Sequence, residues 1–474
     1  MSKQPEAIVI GSGPNGLAAA IHLQQKGIPT EIYEQAHEAG GATRSAEITL
    51  PGYIHDLGSA IHPLCMASPF FKQLPLSEFG LEWVFPEIPY AHPFSDGTAI
   101  AGYQDIEQTA RQLGRDGNSY YQLMTKLVED WPKLEGTLLN PIQIPKHPIN
   151  LASFGLKALM PAKAFSKLYF KDEKTRAYFY GSAAHSTLPL TNLASTSFGL
   201  VLGIIGHKYG WPFPKGGAKS IPESLSAYYR SIGGKIHFNR NITHMGELPK
   251  AKAYLFDLTP KQLLKIGGTD FHANYRNRMG NYRYGLGIFK MDFALDGPIP
   301  FTNPLCRKAG TVHLGFTTKE MESSVNHAFN NHISPRPYII LAQNSVFDSS
   351  RAPEGKHTVW AYCHVPNGSK TDMSPYIENQ IERAAPGFKS MILAKTTHNT
   401  SQMEAFNPNL VGGDVNGGIQ DITQLFTRPI AKWSPYNTSN KNIYICSAST
   451  PPGGGVHGMG GFNAAEKVLA DHFK

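Results

Sequence analysis

Ala7-Ile8-Val9-Ile10-Gly11-Ser12-Gly13-Pro14-Asn15-Gly16 is the stretch that decides the fold. A short β-rich apolar run ends in a G-x-G-x-x-G turn. Leu17, Ala18 and Ile21 then recur near a helical period until Gly27 stops the pattern. Thr30 to Tyr33 reads as a second strand. Glu34 follows it, close to the ~20 positions after the turn at which an acid takes a ribose hydroxyl. The glycines serve a tight turn, a close backbone approach to pyrophosphate, and helix-on-strand packing. The anion then sits on a helix N-terminus, where unpaired N–H groups and the macrodipole favour it. A glycine-rich turn in an ordinary α/β protein is the alternative. A lone G-x-G-x-x-G would not decide between them, but strand, turn, helix, strand and acid in order favour a dinucleotide. Gly11, Ser12, Gly13, Pro14, Asn15, Gly16, Glu34 and the adjacent Gln35 are therefore the first candidate contacts.

The rest of the composition narrows the function. A chain of 474 residues carries a prior of two or three domains, and 41% hydrophobic content excludes disorder. Cys65, Cys306, Cys363 and Cys446 form no C-x-x-C pair, which argues against a disulfide framework, a zinc knuckle and a dithiol centre. No metal site is expected. The net charge of +8 is spread along the chain rather than gathered, so no nucleic-acid groove is expected. The most apolar run, Phe198 to Gly206, is far short of the ~20 residues of a spanning helix, and no leader pattern precedes the first strand. A soluble cytoplasmic protein is the expectation. Between Leu151 and Phe170, Lys157, Lys163 and Lys167 stand among large apolar residues. An ordinary surface helix pair broken at Pro161 is the plainer reading, and peripheral contact with a bilayer is the other.

Gly40-Gly41-Ala42-Thr43-Arg44-Ser45 adds a second glycine pair, which lets backbone pass close to a long cofactor, and an arginine able to face a pyrophosphate. At this point the chain resembles the flavoprotein superfamily that includes amine oxidases and phytoene desaturases, whose pattern of G-x-G-x-x-G, acid, then G-G-x-x-R is matched here. The resemblance implies FAD, and it implies that His55-Asp56-Leu57-Gly58-Ser59 lays Gly58 and Ser59 against the flavin ring. Over the whole chain it is nearest to the phytoene desaturase-like flavoproteins, and within them to the branch of pyridine nucleotide–disulfide oxidoreductase domain-containing protein 2. GSGPNGLAAA, GWPFPKGGAKSIPESL, GIFKMDFALDGPIPF, DSSRAPEGKHTVWAYCHVP, NPNLVGGDVNGG and CSASTPPGGGVHGMGGFNAA carry it.

The fold class so implied is α/β. A discontinuous Rossmann-like FAD-binding domain spans 1–100, 215–284 and 435–474, and an α+β substrate-binding domain is inserted as 101–214 and 285–434, in the amine oxidase/phytoene desaturase architecture. Ser220 and Glu223 read as a capping box opening the returning helix. Ile242 would then meet the adenine. Ser349 to Lys356 reads as a charged turn. Val411 to Gly418 reads as a loop whose backbone approaches a ligand or the flavin edge, with a compact structural loop explaining it almost as well.

Two residues are candidates for chemistry. Lys290, in the strand pattern Gly285 to Leu295, matches in position the lysine that holds a water against flavin N5 in the amine oxidases. Pairing with Asp292 or facing solvent is the alternative. His457 falls near the ring face as a candidate proton carrier, or merely fills a glycine-rich turn. Gly453, Gly455 and Gly458 spell a second G-x-G-x-x-G, but two prolines rather than a strand precede it and too few residues follow for another βα unit. By resemblance this is the last FAD segment instead, with Ser447 and Ala448 near the cofactor and the final helix pointing its N-terminus, near Gly460 and Gly461, at the flavin. The expected reaction is hydride abstraction from a C–H bond of a lipophilic substrate, polyene or isoprenoid in kind, with reoxidation by oxygen or a quinone. An amine oxidase and a non-catalytic flavin-binding scaffold for a protein partner are the alternatives.

Overall fold

The computed structural model describes residues 4–473, and two sheets carry its architecture. Their strands in chain order are β1 (Ala7–Ile10), β2 (Thr30–Tyr33), β3 (Ile88–Pro93), β4 (Ala99–Gly102), β5 (Lys235–His237), β6 (Ala253–Phe256), β7 (Gly287–Leu295), β8 (Ala309–Leu314), β9 (Ile339–Ala342), β10 (His357–Val365), β11 (Ile392–His398) and β12 (Ile443–Ile445). The first sheet has the order β12-β6-β1-β2-β5, with every pairing parallel. Parallel strands are covered on both faces, which is why Ala7-Ile8-Val9-Ile10 is a continuous apolar run rather than an alternating one. The helix Pro14–Gln25 crosses from β1 to β2, and the C-terminal helix Met459–His472 packs along it. Their approach is so close that a Cβ on Gly461 would lie 1.7 Å from the Asn15 carbonyl oxygen.

The second sheet has the order β11-β7-β10-β9-β8-β3-β4 and is antiparallel except where β8 meets β3. Alternation along β7 sends Phe289, Met291 and Phe293 into an apolar cluster and leaves Ile288, Lys290 and Asp292 on the other face. The helices Glu173–Ala183 and Ser195–Tyr209 pack on one another, and the first of them reaches β3 and β4.

The expected α/β class is present, and the parallel sheet is discontinuous in sequence, since β1, β2, β5, β6 and β12 come from three separated stretches of chain. The expected boundary at residue 100 is corrected. β3 pairs with β8, and β4 forms a hairpin with β3, so the residues from Ile88 onward belong to the second sheet. The capping box at Ser220 is also corrected. The helix Ser220–Ser231 is capped at Lys219 without a side-chain hydrogen bond, and Ser220 Oγ donates instead to the Lys215 carbonyl.

Ser349 to Lys356 is not simply an exposed charged turn. Arg351 within it is 1% exposed and its Nη1 donates to both carboxylate oxygens of Asp56, at 3.1 and 3.0 Å. The Leu151–Phe170 stretch does break at Pro161, into helices Pro148–Ala158 and Ala162–Tyr169. Leu156 and Leu168 are exposed there, as are Ile144 and Ile149 just before it, and Lys167 is exposed beside Leu168. Among the described residues no helix is long and apolar enough to cross a membrane.

Candidate active site

A cavity of about 890 Å³ runs from the glycine loop after β1 to the face of the second sheet. Its nucleotide end is built from backbone. Gly11 has φ +95°, and a Cβ on Gly16 would stand 2.1 Å from the Gly11 carbonyl oxygen, so the turn closes only with glycine at both positions. Glu34, at the end of β2, receives hydrogen bonds from Ser12 N (2.8 Å), Ser12 Oγ (2.7 Å) and Ala36 N (2.9 Å). These bonds hold the carboxylate at the cavity wall, where its remaining lone pairs can accept from a ribose hydroxyl. Arg44 donates from Nε to Gly41 O and from Nη2 to Phe406 O, and its guanidinium lies 4.3 Å over the Phe406 ring. Nη1 lies 3.9 Å from Glu38, and the Glu34 carboxylate also acts on the group.

Asp257, one residue beyond β6, faces the same loop. Its Oδ2 accepts from Gly16 N at 2.9 Å, taking one of the amide donors that a phosphate would use. Burial raises its pKa to about 7; the Gly16 N–H bond lowers it and the neighbouring Glu34 adds to the rise. The protonated acid would face a bound pyrophosphate without the like-charge repulsion that the carboxylate would add.

Of the residues expected from the sequence, Gly11, Ser12, Gly13, Pro14, Asn15, Glu34, Gln35, Gly41, Ala42, Thr43, Arg44, Gly58, Ser59, Ile242, Ser447 and Ala448 line this one cavity. Gly16 and Gly40 stand behind the wall and shape it. Gly460 and Gly461 do not reach it. They lie inside the C-terminal helix, where they let it press on Asn15, and Gly454, Gly455 and Val456 line the cavity instead. The loop Val411 to Gly418 contributes Val415, Asn416 and Gly417 to the wall.

The two chemical candidates lie off the cavity. Lys290 and Asp292 are both 0% exposed, and the Lys290 ammonium pairs with the Asp292 carboxylate. Burial raises Asp292 to about 6 against the pull of Lys290. The pairing with Asp292 is thus the arrangement present, and the cross-strand neighbour Tyr362 reaches the cavity where Lys290 does not. His457 is 1% exposed; its Nδ1 accepts from Met459 N at 3.0 Å and its Nε2 donates to Gly453 O at 3.1 Å. Both ring nitrogens are committed, and burial lowers its pKa to about 4. His457 fixes the turn that starts the last helix and carries no proton to the cavity.

Sequence reasoning expected an apolar substrate cavity in the inserted domain but did not assign the residues that line the chamber over the second sheet. Trp360 and Tyr362 of β10 line it with rings edge to face, 5.0 Å between centroids at 81°, joined by Trp211, His185, Thr187, Phe198 and Ile340. Trp360 Nε1 donates to Gly58 O at 3.0 Å, tying the chamber floor to the nucleotide half. The alternation in Thr358–His364 did carry a signal, since Trp360 and Tyr362 share one face of the strand. Asp257 directly follows an apolar strand, and nothing in that stretch marks it for the glycine loop. Nothing in the local sequence marks His185. Among the described residues no cluster is arranged to hold a metal ion.

Comparisons with known proteins agree with this arrangement. Residues 9–74 match the family model described as an NAD(P)-binding Rossmann-like domain. Over nearly its whole length the chain is similar to pyridine nucleotide-disulfide oxidoreductase domain-containing protein 2 of Rattus norvegicus, at 24% identity covering 98% of this chain and 93% of that protein. It is similar at 23% identity to a 4,4'-diapophytoene desaturase of Methylomonas sp, covering 96% and 93% of the two chains. It shares its fold with an oxidoreductase from Methanosarcina mazei (TM-score 0.65, 16% identity, 98% and 99% of the chains) and with cyclohexylamine oxidase from Brevibacterium oxydans (0.60, 12%, 99% and 98%). The resemblance to phytoene desaturase-like and amine oxidase-like oxidoreductases therefore extends from end to end.

Two outcomes follow from the buried charges. Lys290→Met leaves Asp292 ionisable and unpaired in a dry site, so stability in urea unfolding should fall by about 3–5 kcal/mol. The double variant Lys290→Met/Asp292→Leu should recover most of that loss; full stability in the single variant would show that the pair is not structural. Asp257 holds its proton until about pH 7, so a dinucleotide should bind more weakly as pH rises through that value. Dissociation constants measured between pH 6 and 8, on the order of one unit either side of that value, should rise with pH in the wild type and stay flat in Asp257→Asn. A parallel rise in both would remove Asp257 as the cause.

Proposed function

We propose that this chain, an oxidoreductase of the phytoene desaturase and amine oxidase type, holds FAD in the nucleotide end of the cavity and takes hydride from a C–H bond of a lipophilic substrate in the chamber, with oxygen or a quinone as the final acceptor. The observation that carries the substrate class is the distribution of charge. Glu34, Arg44, Arg240, Asp257 and Lys265 line the nucleotide end, whereas the lining residues drawn from the second-sheet half, 88–214 and 285–434, are all uncharged. A cationic amine would find no carboxylate there. An uncharged chain would be desolvated by Phe198, Leu202, Ile288 and Ile340.

The residues present fit FAD. The glycine loop leaves room for a pyrophosphate, Glu34 is held to meet a ribose, and Gly58 must lack a side chain, since a Cβ there would lie 2.1 Å from Ala42 O. Bound in this way, the flavin supplies the hydride acceptor, so the protein needs few acids or bases of its own. Trp360 and Tyr362 orient the substrate over the floor, and the apolar wall excludes water from the reacting carbon. The single parallel sheet among the described residues supports one nucleotide site, and hence an acceptor other than a nicotinamide. Exposed Ile144, Ile149, Leu156 and Leu168 support a peripheral contact with a lipid surface, from which such a substrate would be drawn.

Purified protein should show a flavin spectrum that bleaches anaerobically with a polyene or isoprenoid and stays unchanged with a panel of primary and secondary amines. Reduction by amines alone would replace this reading with amine oxidation, and bound flavin that nothing reduces would favour a scaffold. Leu156→Asp/Leu168→Asp should release the chain from sedimenting anionic vesicles; undiminished sedimentation would place the lipid contact elsewhere.

A further inference from the structure

Two histidines meet at the chamber wall. His185 sits in the turn Ala184–Ser186 after the helix Glu173–Ala183 and lines the cavity, while His313 lies on β8 and is fully buried. Their Nε2 atoms are 3.1 Å apart. Two neutral rings in contact through one nitrogen each share a single proton there, so one donates and the other accepts, and the two outer nitrogens take opposite roles.

The outer nitrogen of His313, Nδ1, is buried without a partner among the described residues. It lies against Gly181, where a Cβ would come within 2.6 Å. Tyr90, Trp211 and Tyr338 surround the ring, with centroids at 5.5, 5.9 and 6.0 Å. A buried N–H without an acceptor is rarer and costlier than an unused lone pair. His313 therefore keeps its proton on Nε2 and donates it to His185 Nε2, which leaves the His185 proton on Nδ1.

His185 Nδ1 also lacks a partner among the described residues, but it is not sealed in: it opens on the cavity. The chain leaves this turn through Thr187, a cavity residue held at φ +56°. Left-handed backbone at a β-branched residue is strained and persists only where the surroundings impose it. Burial lowers the His185 pKa to about 3, so the ring offers a hydrogen bond and not a charge. In an otherwise uncharged chamber this is an oriented donor without an acceptor.

We propose that His185 Nδ1–H, oriented by His313, receives the oxygen of a lipophilic substrate that ends in a hydroxyl or carbonyl group, so that the chamber selects an oxygen-terminated chain over the bare hydrocarbon. This rests on the reading of the chamber as the substrate site. His185 touches the substrate, and His313 is a positioning residue that sets its tautomer. A site built around a hydrogen bond rejects the analogue lacking the oxygen strongly, because its own buried donor is then left unpaired.

The test titrates the flavin-loaded full chain with geranylgeraniol and with the hydrocarbon of the same isoprenoid skeleton lacking the hydroxyl, reading binding from tryptophan fluorescence. The wild type should bind the alcohol about tenfold or more tightly than the hydrocarbon. His185→Leu should abolish that preference while leaving hydrocarbon affinity in place, and His185→Gln, which keeps an N–H donor, should restore much of it. His313→Leu should weaken the alcohol selectively, whereas a merely structural loss would weaken both ligands.

Equal binding in the wild type, or a preference that survives in folded His185→Leu, overturns the proposal. Should His185→Leu fail to fold, the wild-type ratio and His185→Gln still decide. Flavin reduction is read separately. A strong preference without reduction overturns hydride transfer and leaves the anchor standing; equal binding with reduction by the hydrocarbon does the reverse.

Discussion

The relation between the two halves depends on one buried carboxylate. Asp56, 3% exposed, receives Ser45 Oγ at 2.7 Å, Ala218 N at 2.7 Å and two bonds from Arg351. Arg351 in turn donates to Asp348 and to the Pro214 carbonyl, both at 3.0 Å. A buried ion pair repays its desolvation only when its remaining donors and acceptors are met, and here they are met from four separate stretches of chain. Burial alone would raise the Asp56 pKa, but Arg351, the Ala218 amide and the Ser45 hydroxyl hold it below its ordinary value. The network fixes Gly58, two residues further along, whose carbonyl accepts from Trp360 Nε1 of the second sheet. A cofactor cradled by the first sheet and a substrate resting on the second can then meet in one cavity.

That cavity is electrostatically divided. Its backbone-built end presents glycine amides, Arg44 and an acid whose proton is retained until about pH 7. Its other end presents aromatic and aliphatic side chains with a few neutral polar atoms. On the proposed reading the division would separate binding from chemistry, with charge and hydrogen bonds to hold a nucleotide at one end and an apolar wall around the reacting carbon at the other. The same wall explains why buried titratable groups around it, His62, His185, His364 and His457, are all shifted toward their neutral forms, chiefly by burial.

The nucleotide half was largely legible in the sequence, because a phosphate cradle is made by local rules. Glycine spacing, strand length and the acid after β2 are contiguous features, and sixteen of the residues expected there line the cavity. What escaped was long-range. Arg351 stands in a stretch rich in charge and turn residues, and only its meeting with Asp56 buries it. Lys290 and His457 lie on elements that border the cavity, yet a partner two residues away in each case turns the side chain from it. His185 and His313 are far apart in sequence, and their contact exists only once β8 has paired with β3. Gly460 and Gly461 were placed at the cofactor by resemblance, whereas helix-on-helix packing uses the same residue for the same lack of a side chain.

The central claim is a single nucleotide site that opens on an uncharged chamber. Calorimetric titration of the flavin-free chain with FAD, followed by NADPH added to the loaded protein, tests it most directly. One FAD should bind per chain, with no further heat on adding NADPH. A second nucleotide site, or no binding of FAD, would contradict it.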